Sequence, residues 1–303
     1  MTKILKASTL FVTAAMALSL ASLFVPCALA DGFSIGGAAN YAVLYEGTGG
    51  HNLSISNVTV NGSVGVGGTG VVQFSGPGTI TGELDFSAGN VGQYHNTNGS
   101  NVGPTSVNYN IAAVTSDLIL VNALSASLGA EAGTSIVING NQTINASSGK
   151  LDAAGNEVFT VTSYTEGNGN VLTINGNGHN VVFNYAAGGN PQYGGDVVLT
   201  GGLTDDQVLW NYTGTNNLSL NNNASSFPLP DAFMGIILAP NAAISLVNAN
   251  LDGRVFGGDS SDMQIVSGDT INSPVSAPEP SSLALLATGL FGLLGFVRRR
   301  LNS

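Results

Sequence analysis

Short runs of alternating apolar and polar residues recur through the central part of the chain, and most are bounded by Asn-Gly, Gly-Gly or Asn-Asn pairs. Side chains two residues apart share one face of a β-strand, so each run predicts a strand with one buried face. The predicted strands cover 52–56, 58–60, 63–66, 135–138, 158–162, 171–174, 181–185, 197–200, 208–212, 218–220, 234–238 and 243–247. Many short strands separated by tight turns indicate an all-β fold.

One segment has the period of a helix instead. Its apolar residues follow steps of three and four, at Ile111, Val114, Leu118, Val121, Leu124 and Leu128. This spacing predicts one amphipathic helix over about 110–129 that flanks the β-body and packs along it.

The strands are predicted to form a parallel β-helix or a related solenoid. Asn and Gly recur at the ends of the strands, where the chain would turn a corner. A single coil of this kind cannot bury its apolar face alone, and stacking of successive coils provides the core. No strict repeat length is visible, so a β-sandwich is the open alternative.

The first thirty residues have the three parts of a secretory signal peptide. Lys3 and Lys6 precede an uncharged apolar run from Leu10 to Phe24. Ala28 and Ala30 then give the small-x-small pattern that signal peptidase requires. We therefore predict a signal peptide over 1–30, with cleavage before Asp31, and export of the rest of the chain.

The C-terminal end also has three parts. A linker over 273–280 ends in Pro278, Glu279 and Pro280. The uncharged run 281–297 is predicted to cross the membrane, since a helix of this length rises about 25 Å. Arg298, Arg299 and Arg300 lie in a basic tail, 298–303, which the positive-inside rule places in the cytoplasm. The body of the protein is then outside the inner membrane.

This three-part tail resembles the PEP-CTERM sorting domain. The resemblance implies a Gram-negative bacterium that makes exopolysaccharide, and processing near the Pro-Glu-Pro motif by exosortase. The expected course is a precursor anchored in the inner membrane by the C-terminal helix, followed by delivery to the cell envelope, the outer surface or the extracellular matrix.

The exported part is strongly acidic. Of the seven Lys and Arg residues, two lie in the signal peptide and three in the tail, so Lys150 and Arg254 remain against all 18 carboxylates and the net charge is −16. Such a body repels phosphate backbones, which excludes nucleic acid as a partner. It also contains no cysteine, so its fold is held without disulfides.

One acidic cluster is a candidate calcium site, and no other cofactor is expected. Asp252, Asp259, Asp262 and Asp269 lie in a Gly- and Ser-rich stretch, where oxygen ligands on turns would suit calcium. Their spacing fits neither an EF-hand loop nor a nonapeptide calcium repeat. A solvated acidic surface is the simpler interpretation.

The body, predicted as one β-rich extracytoplasmic domain over 31–272, resembles the choice-of-anchor A family of surface domains. The resemblance rests on a series of segments in a fixed order: 35–44, 60–68, 157–162, 181–185, 208–212 and 235–242. The opening segment and the helix are also similar, more weakly, to ice-binding-like β-helix proteins. Neither resemblance implies a catalytic residue.

These observations favour an exported structural or adhesive protein of an exopolysaccharide-associated biofilm or floc, and not an enzyme. The first alternative is a glycan- or ice-binding solenoid, in which exposed Thr, Asn and aromatic residues such as Tyr41, Tyr94 and Tyr193 would contact the ligand. Ice binding predicts a flat face of regularly spaced Thr and Asn, and no regular T-x-T ladder is visible in the sequence. The second alternative, a polysaccharide-degrading enzyme, predicts a cleft with two close carboxylates.

Overall fold

The body is a stack of coils in which strands of successive coils pair side by side and parallel. A computed structural model describes residues 32–90, 93–97, 102–167, 169–185, 191–222, 232–258 and 261–274. Their strands lie on three flat faces, which we call A, B and C. Within these residues, the single antiparallel pairing is that of β12 (Lys150–Leu151) with β13.

Face A is a ladder of ten strands. In spatial order they are β10 (Thr134–Asn139), β13 (Glu157–Thr165), β15 (Val181–Tyr185), β18 (Val208–Tyr212), β20 (Phe233–Ala239), β22 (Asn250–Gly257), β1 (Tyr41–Tyr45), β4 (Ser63–Val66), β7 (Leu84–Ser87) and β9 (Val107–Ile111).

Face B is a sheet of seven strands. In spatial order they are β16 (Gln192–Tyr193), β19 (Leu218–Leu220), β21 (Ile244–Val247), β23 (Met263–Val266), β2 (Asn52–Ser56), β5 (Val71–Ser75) and β8 (Tyr94–Asn96).

Face C combines two groups of strands. The first is β11 (Gln142–Asn145), β14 (Val171–Asn175) and β17 (Asp196–Thr200). The second is the first residues of β20 and β22, followed by β24 (Thr270–Asn272), β3 (Thr59–Asn61) and β6 (Thr79–Ile80). A hydrogen bond from Val197 N to Ala232 O joins the two groups.

The edge between faces C and A depends on stacked glycines. Strands β20 and β22 cross this edge at Gly235 and Gly253, where φ is 122° and 156°. A Cβ atom on Gly253 would lie 1.9 Å from the carbonyl oxygen of Gly235. A side chain is therefore excluded by both the backbone conformation and the neighbouring coil.

The described part of the body starts and finishes in the middle of the stack. Strands β1 to β9 build coils towards one end, and the chain then returns along face A to begin again at the other end with β10. The last strands of the body return to the middle of the stack and pair with the first strands. These pairings place Val43 beside Val255, Leu53 beside Met263 and Val60 beside Ile271. We call the junction between the last strands, β22 to β24, and the first strands, β1 to β3, the seam.

The returning segment is helix α1 (Ala112–Gly129), which lies on face A. Its residues Val114, Leu118, Val121 and Leu128 are buried against a second apolar layer that includes Leu44, Leu209 and Phe256. The opposite side of the helix leaves Ile119 65% and Leu120 40% exposed. Among the described residues, α1 alone has the length and apolarity of a membrane span, and here it covers a sheet.

Aromatic rings form a column inside the stack. Phe159, Phe183, Trp210 and Phe233 come from consecutive coils, with centroid distances of 5.3, 4.3 and 4.9 Å. Trp210 is fully buried. Offset contacts of this kind add to the apolar area that each coil buries.

The predicted all-β solenoid with one flanking helix is confirmed. Strands 52–56, 63–66, 181–185, 208–212 and 218–220 have the predicted bounds, and the helix begins two residues later than expected. Parallel pairing between coils excludes the sandwich alternative, whose sheets are antiparallel. The signal peptide and the C-terminal tail lie outside the described residues.

Candidate binding faces

Face B carries a straight rank of uncharged polar side chains along its centre. Apolar neighbours such as Leu53 and Ile55 are buried, so the residue between them points outward. The same register places one outward residue on each of the seven strands: Gln192, Ser219, Ser245, Gln264, Ser54, Gln73 and His95. Neighbouring members are about 4.8 Å apart because they lie on adjacent strands.

Face C carries threonines and asparagines in a repeated unit. A Thr-Val/Ile-Asn triplet occurs at 59–61, 143–145, 173–175 and 270–272. The middle residue is buried in every case, so Thr and Asn point outward together. The register places Thr270, Thr59 and Thr79 on adjacent strands, and Thr143 beside Thr173.

The sequence has no regular T-x-T ladder, but the fold places threonines side by side in another way. Thr270 and Thr59 are far apart in the sequence and are neighbours only across the seam. The asparagine two residues later replaces the second threonine of a T-x-T pattern in all four triplets. The recurrence of that triplet is the sequence signal that would have revealed this face.

Hydrogen bonds between coils fix the amide groups of face C. Asn61 Nδ2 donates to Asn272 Oδ1 at 2.7 Å, and Asn272 Nδ2 donates to Asp252 Oδ1 at 2.7 Å. In the other group, Asn175 Nδ2 donates to Asn145 Oδ1 at 3.1 Å. An amide has two donors and two acceptor sites, so each still has capacity for a ligand or water.

The candidate calcium residues are dispersed rather than gathered. Asp252 lies on face C, Asp262 precedes face B and accepts a hydrogen bond from Asn52 N at 2.8 Å, and Asp269 lies at the edge between B and C. Asp259 is outside the described residues. Within the described part of the chain, no three His, Cys, Asp or Glu side chains are grouped to hold a metal ion. Calcium binding stays a prediction that this arrangement does not support.

The tyrosines named as possible sugar contacts are covered to different degrees. Tyr193 is 2% exposed and points into the aromatic core, and Tyr94 is half-buried against that core. Tyr41 is 4% exposed because it lies in the apolar layer that α1 covers, and it donates its hydroxyl proton to Asp85 Oδ2 at 2.9 Å. The expectation of exposure is therefore wrong for Tyr41 and Tyr193.

Two carboxylate sites bear on the enzymatic alternative. A shallow groove of ≈ 440 Å³ at the A–C edge has Asp205 and Asp252 in its walls, among Leu199, Leu203 and Met234. Asp252 there is a hydrogen-bond acceptor within the asparagine ladder. Elsewhere, burial raises the pKa of Glu166 to about 7, and its Oε2 accepts a hydrogen bond from Tyr164 at 3.2 Å. Glu166 is 6% exposed, so a polymer could not reach it.

Comparisons with known proteins agree with this architecture. The model of a putative ice-binding-like adhesive domain matches residues 28–265, and the PEP-CTERM protein-sorting motif matches 276–300. This match corresponds to the weaker of the two family resemblances that the sequence of the body shows. The resemblance to choice-of-anchor A stays a prediction. No curated protein matches the chain.

Solved structures similar to this chain include ice-binding proteins. The one from the Antarctic ascomycete Antarctomyces psychrotrophicus gives a TM-score of 0.55 at 17% identity, covering 81% of this chain and all of its own. The one from an Arctic yeast gives 0.52 at 15% identity, covering 83% and 97%. A domain of ice-binding protein 1 of Shewanella frigidimarina gives 0.51 at 19% identity, covering 80% and 97%. At these identities the likeness is one of fold.

Proposed function

The chain belongs to the family of putative ice-binding-like adhesive domains, and on this premise we propose that it is an anchored adhesive protein of an exopolysaccharide matrix. The PEP-CTERM motif marks it for export and for processing by exosortase. No cofactor is expected for such a domain, and the family is adhesive rather than enzymatic. Its role would be to hold matrix polymer at the envelope or outer surface, in a biofilm or floc.

The distribution of charge is the observation that carries this proposal. The body has a net charge of −16, yet the central rank of face B has no charged residue apart from the titratable His95. Face C has one outward carboxylate, Asp252, in its second group of strands. Anionic polymers would be repelled by the body as a whole, so the preferred ligand is a neutral polysaccharide that exchanges hydrogen bonds with these faces.

Rigidity and repetition both favour binding of an extended polymer. The outward groups belong to sheet strands, and those of face C are already fixed to one another, so binding orders few side chains. A row of weak sites about 4.8 Å apart also lets one polymer chain make many contacts at once.

Co-sedimentation with the host's own exopolysaccharide tests the proposal. We expect the double variant Ser54→Asp, Ser245→Asp to bind at least tenfold more weakly, because it places charge in the centre of face B. The matched control is Thr115→Asp, which adds one charge on the exposed side of α1 and should bind like the wild type. Equal binding by all three proteins would refute the role of face B, and shortening of the polymer would indicate an enzyme.

Ice binding is the second candidate, favoured by the threonine and asparagine ranks of face C. The structural relatives named above are ice-binding proteins. If ice is the ligand, the wild type will enter a slowly growing ice crystal and Thr59→Asp will be excluded from it. Exclusion of the wild type itself would remove this candidate.

A further inference from the structure

We propose that, in the membrane-anchored precursor before exosortase acts, the tail holds the solenoid on its side, with face B turned away from the membrane, and that Arg254 fixes this pose. The proposal depends on C-terminal anchoring and not on which ligand the faces bind. It assigns a positioning role to the only arginine between the signal peptide and the tail.

The position of the seam is the first observation. The chain leaves the body after β24, where Ser273 N donates to Asn61 O at 3.2 Å. On face A the seam lies between β22 and β1, with six strands of the ladder on one side and four on the other. The tail therefore starts from the side of the stack, near its middle, and on the A–C edge. In a three-sided coil, that edge is opposite face B.

Arg254 holds the chain at this exit. Its Nη2 donates to the carbonyl oxygen of Pro274 at 2.8 Å and to that of Ala39 at 3.0 Å. The residue is 2% exposed, so these charge-assisted bonds are shielded from water. The Arg254 side chain on β22 therefore binds both the segment that precedes β1 and the last described residue of the body.

The acidic turn beside Arg254 completes the clamp. Asp205 and Asp206 lie close enough to favour the charged guanidinium, which opposes the effect of burial on its pKa. The carbonyl of Asp206 also accepts a hydrogen bond from Phe33 N at 3.1 Å. The N-terminal segment is therefore secured to the same corner.

The length of the linker then limits how the body can stand. Residues 275–280 span at most about 22 Å before the predicted membrane segment begins. Standing on the β10 end would lift the seam about 26 Å, and standing on the β9 end would lift it about 17 Å. The first distance exceeds the reach of the linker, and the second would extend it to roughly three quarters of its reach. A body that lies on its A–C edge has the seam next to the membrane, so the linker does not have to be extended.

Single-cysteine labelling of residues 31–303 in lipid vesicles tests this pose, since the chain without its signal peptide has no cysteine of its own. Ser245→Cys reports on face B, and Glu83→Cys reports on the A–C edge. For each we compare labelling by a 5-kDa polyethylene glycol maleimide with labelling by a small impermeant maleimide. We expect the ratio to fall at least tenfold in vesicles relative to detergent for Glu83→Cys, and to stay unchanged for Ser245→Cys. Equal ratios at the two sites would overturn the proposal.

Two further variants separate the clamp from the fold. In the Glu83→Cys protein, Arg254→Gln should recover at least half of the labelling that is lost in vesicles, whereas Arg254→Lys should recover less. A twelve-residue Gly-Ser insertion after Ala277 should restore it fully without touching the body. Trp210 fluorescence reports whether each variant is folded. Shielding that survives the insertion would overturn the pose, and shielding that survives Arg254→Gln in a folded protein would overturn the role of Arg254.

No polysaccharide is present in these measurements. Failure of the pose would therefore leave the adhesive function standing, and failure of polysaccharide binding would leave the pose standing.

Discussion

At the scale of single residues, buried carboxylates are the most unusual feature of this acidic body. Asp269 is 1% exposed, and its Oδ1 accepts a hydrogen bond from Ala249 N at 2.6 Å. Burial raises its pKa to about 7, against the opposing effect of its backbone hydrogen bonds. Glu166 is raised to about 7 by burial as well. Both groups bind protons more tightly in the folded state than in the unfolded state.

This difference predicts a stability that falls as the pH rises. The unfolded carboxyl has a pKa of about 4, so the folded state holds extra protons between about pH 4 and pH 7. We expect the melting temperature to be highest near pH 4 and to decline towards pH 7. Asp269→Asn should reduce that slope, because it removes one of the two groups.

The control for this effect is Asn217→Ala, an exposed change that removes no carboxylate. Its melting curves should keep the slope of the wild type. An identical slope in Asp269→Asn and the wild type would show that Asp269 does not contribute to the pH dependence.

At the scale of elements, the attachment of α1 rests on a polar contact as well as on apolar packing. Asn184 and Asn211 lie on the adjacent strands β15 and β18, and Asn211 Nδ2 donates to Asn184 Oδ1 at 2.8 Å. Asn184 Nδ2 donates to the carbonyl of Leu128 at 2.7 Å, and Asn211 Nδ2 to that of Ser125 at 3.0 Å. These amides bind helix carbonyls in the last turns of α1, where such groups commonly lack partners.

Replacing Asn211 with Ala should loosen the end of the helix. The change leaves buried polar atoms of Ser125 and Asn184 without partners, so the free energy of unfolding should fall by at least about 2 kcal/mol. Denaturant unfolding followed by Trp210 emission measures this loss. The exposed residue Asn217 gives the matched control, and Asn217→Ala should stay within about 0.5 kcal/mol of the wild type.

Local patterns predicted most of these elements but not their neighbours. Strands such as β2 alternate buried and exposed residues and were found from the sequence. Strand β1 is buried at all five positions, because α1 and the residues before β1 cover its outer side, and it shows no alternation. The strands of the seam, β22 to β24, were not predicted. Strand β22 is buried at six of its eight positions, so it shows little alternation. The pairing of these strands with β1 to β3, some 200 residues earlier, is not visible in any local pattern.

The candidate faces show the same division. The acidic, lysine-poor character of the body was visible in its composition, and the Thr-Val/Ile-Asn triplets were present in the sequence. Which triplets lie together depends on register across the seam, and no local pattern encodes that. The candidate calcium residues were close in sequence, yet a coil of three faces separates residues only seven to ten positions apart.

At the scale of the whole molecule, retention depends on the tail. The body offers acidic and neutral polar surface, and neither has strong affinity for a lipid membrane. We therefore expect a chain that lacks residues 278–303 to be exported and to appear in the culture medium, as measured by immunoblotting of cell and medium fractions. The control is Glu131→Gln, an exposed change in the body that should leave the protein with the cells. Retention of the truncated chain would mean that the body itself holds to the envelope.

The seam also sets the order in which the protein can mature. Strands β1, β2 and β3 are synthesised first, but each lacks one neighbour until residues 250–272 have followed. Pairing across such a sequence separation is slow, because a long loop must close before the contact is gained. The early coils thus stay incomplete until the last strands of the body have been made. Closure comes with the last strand of the body, immediately before the sorting tail emerges.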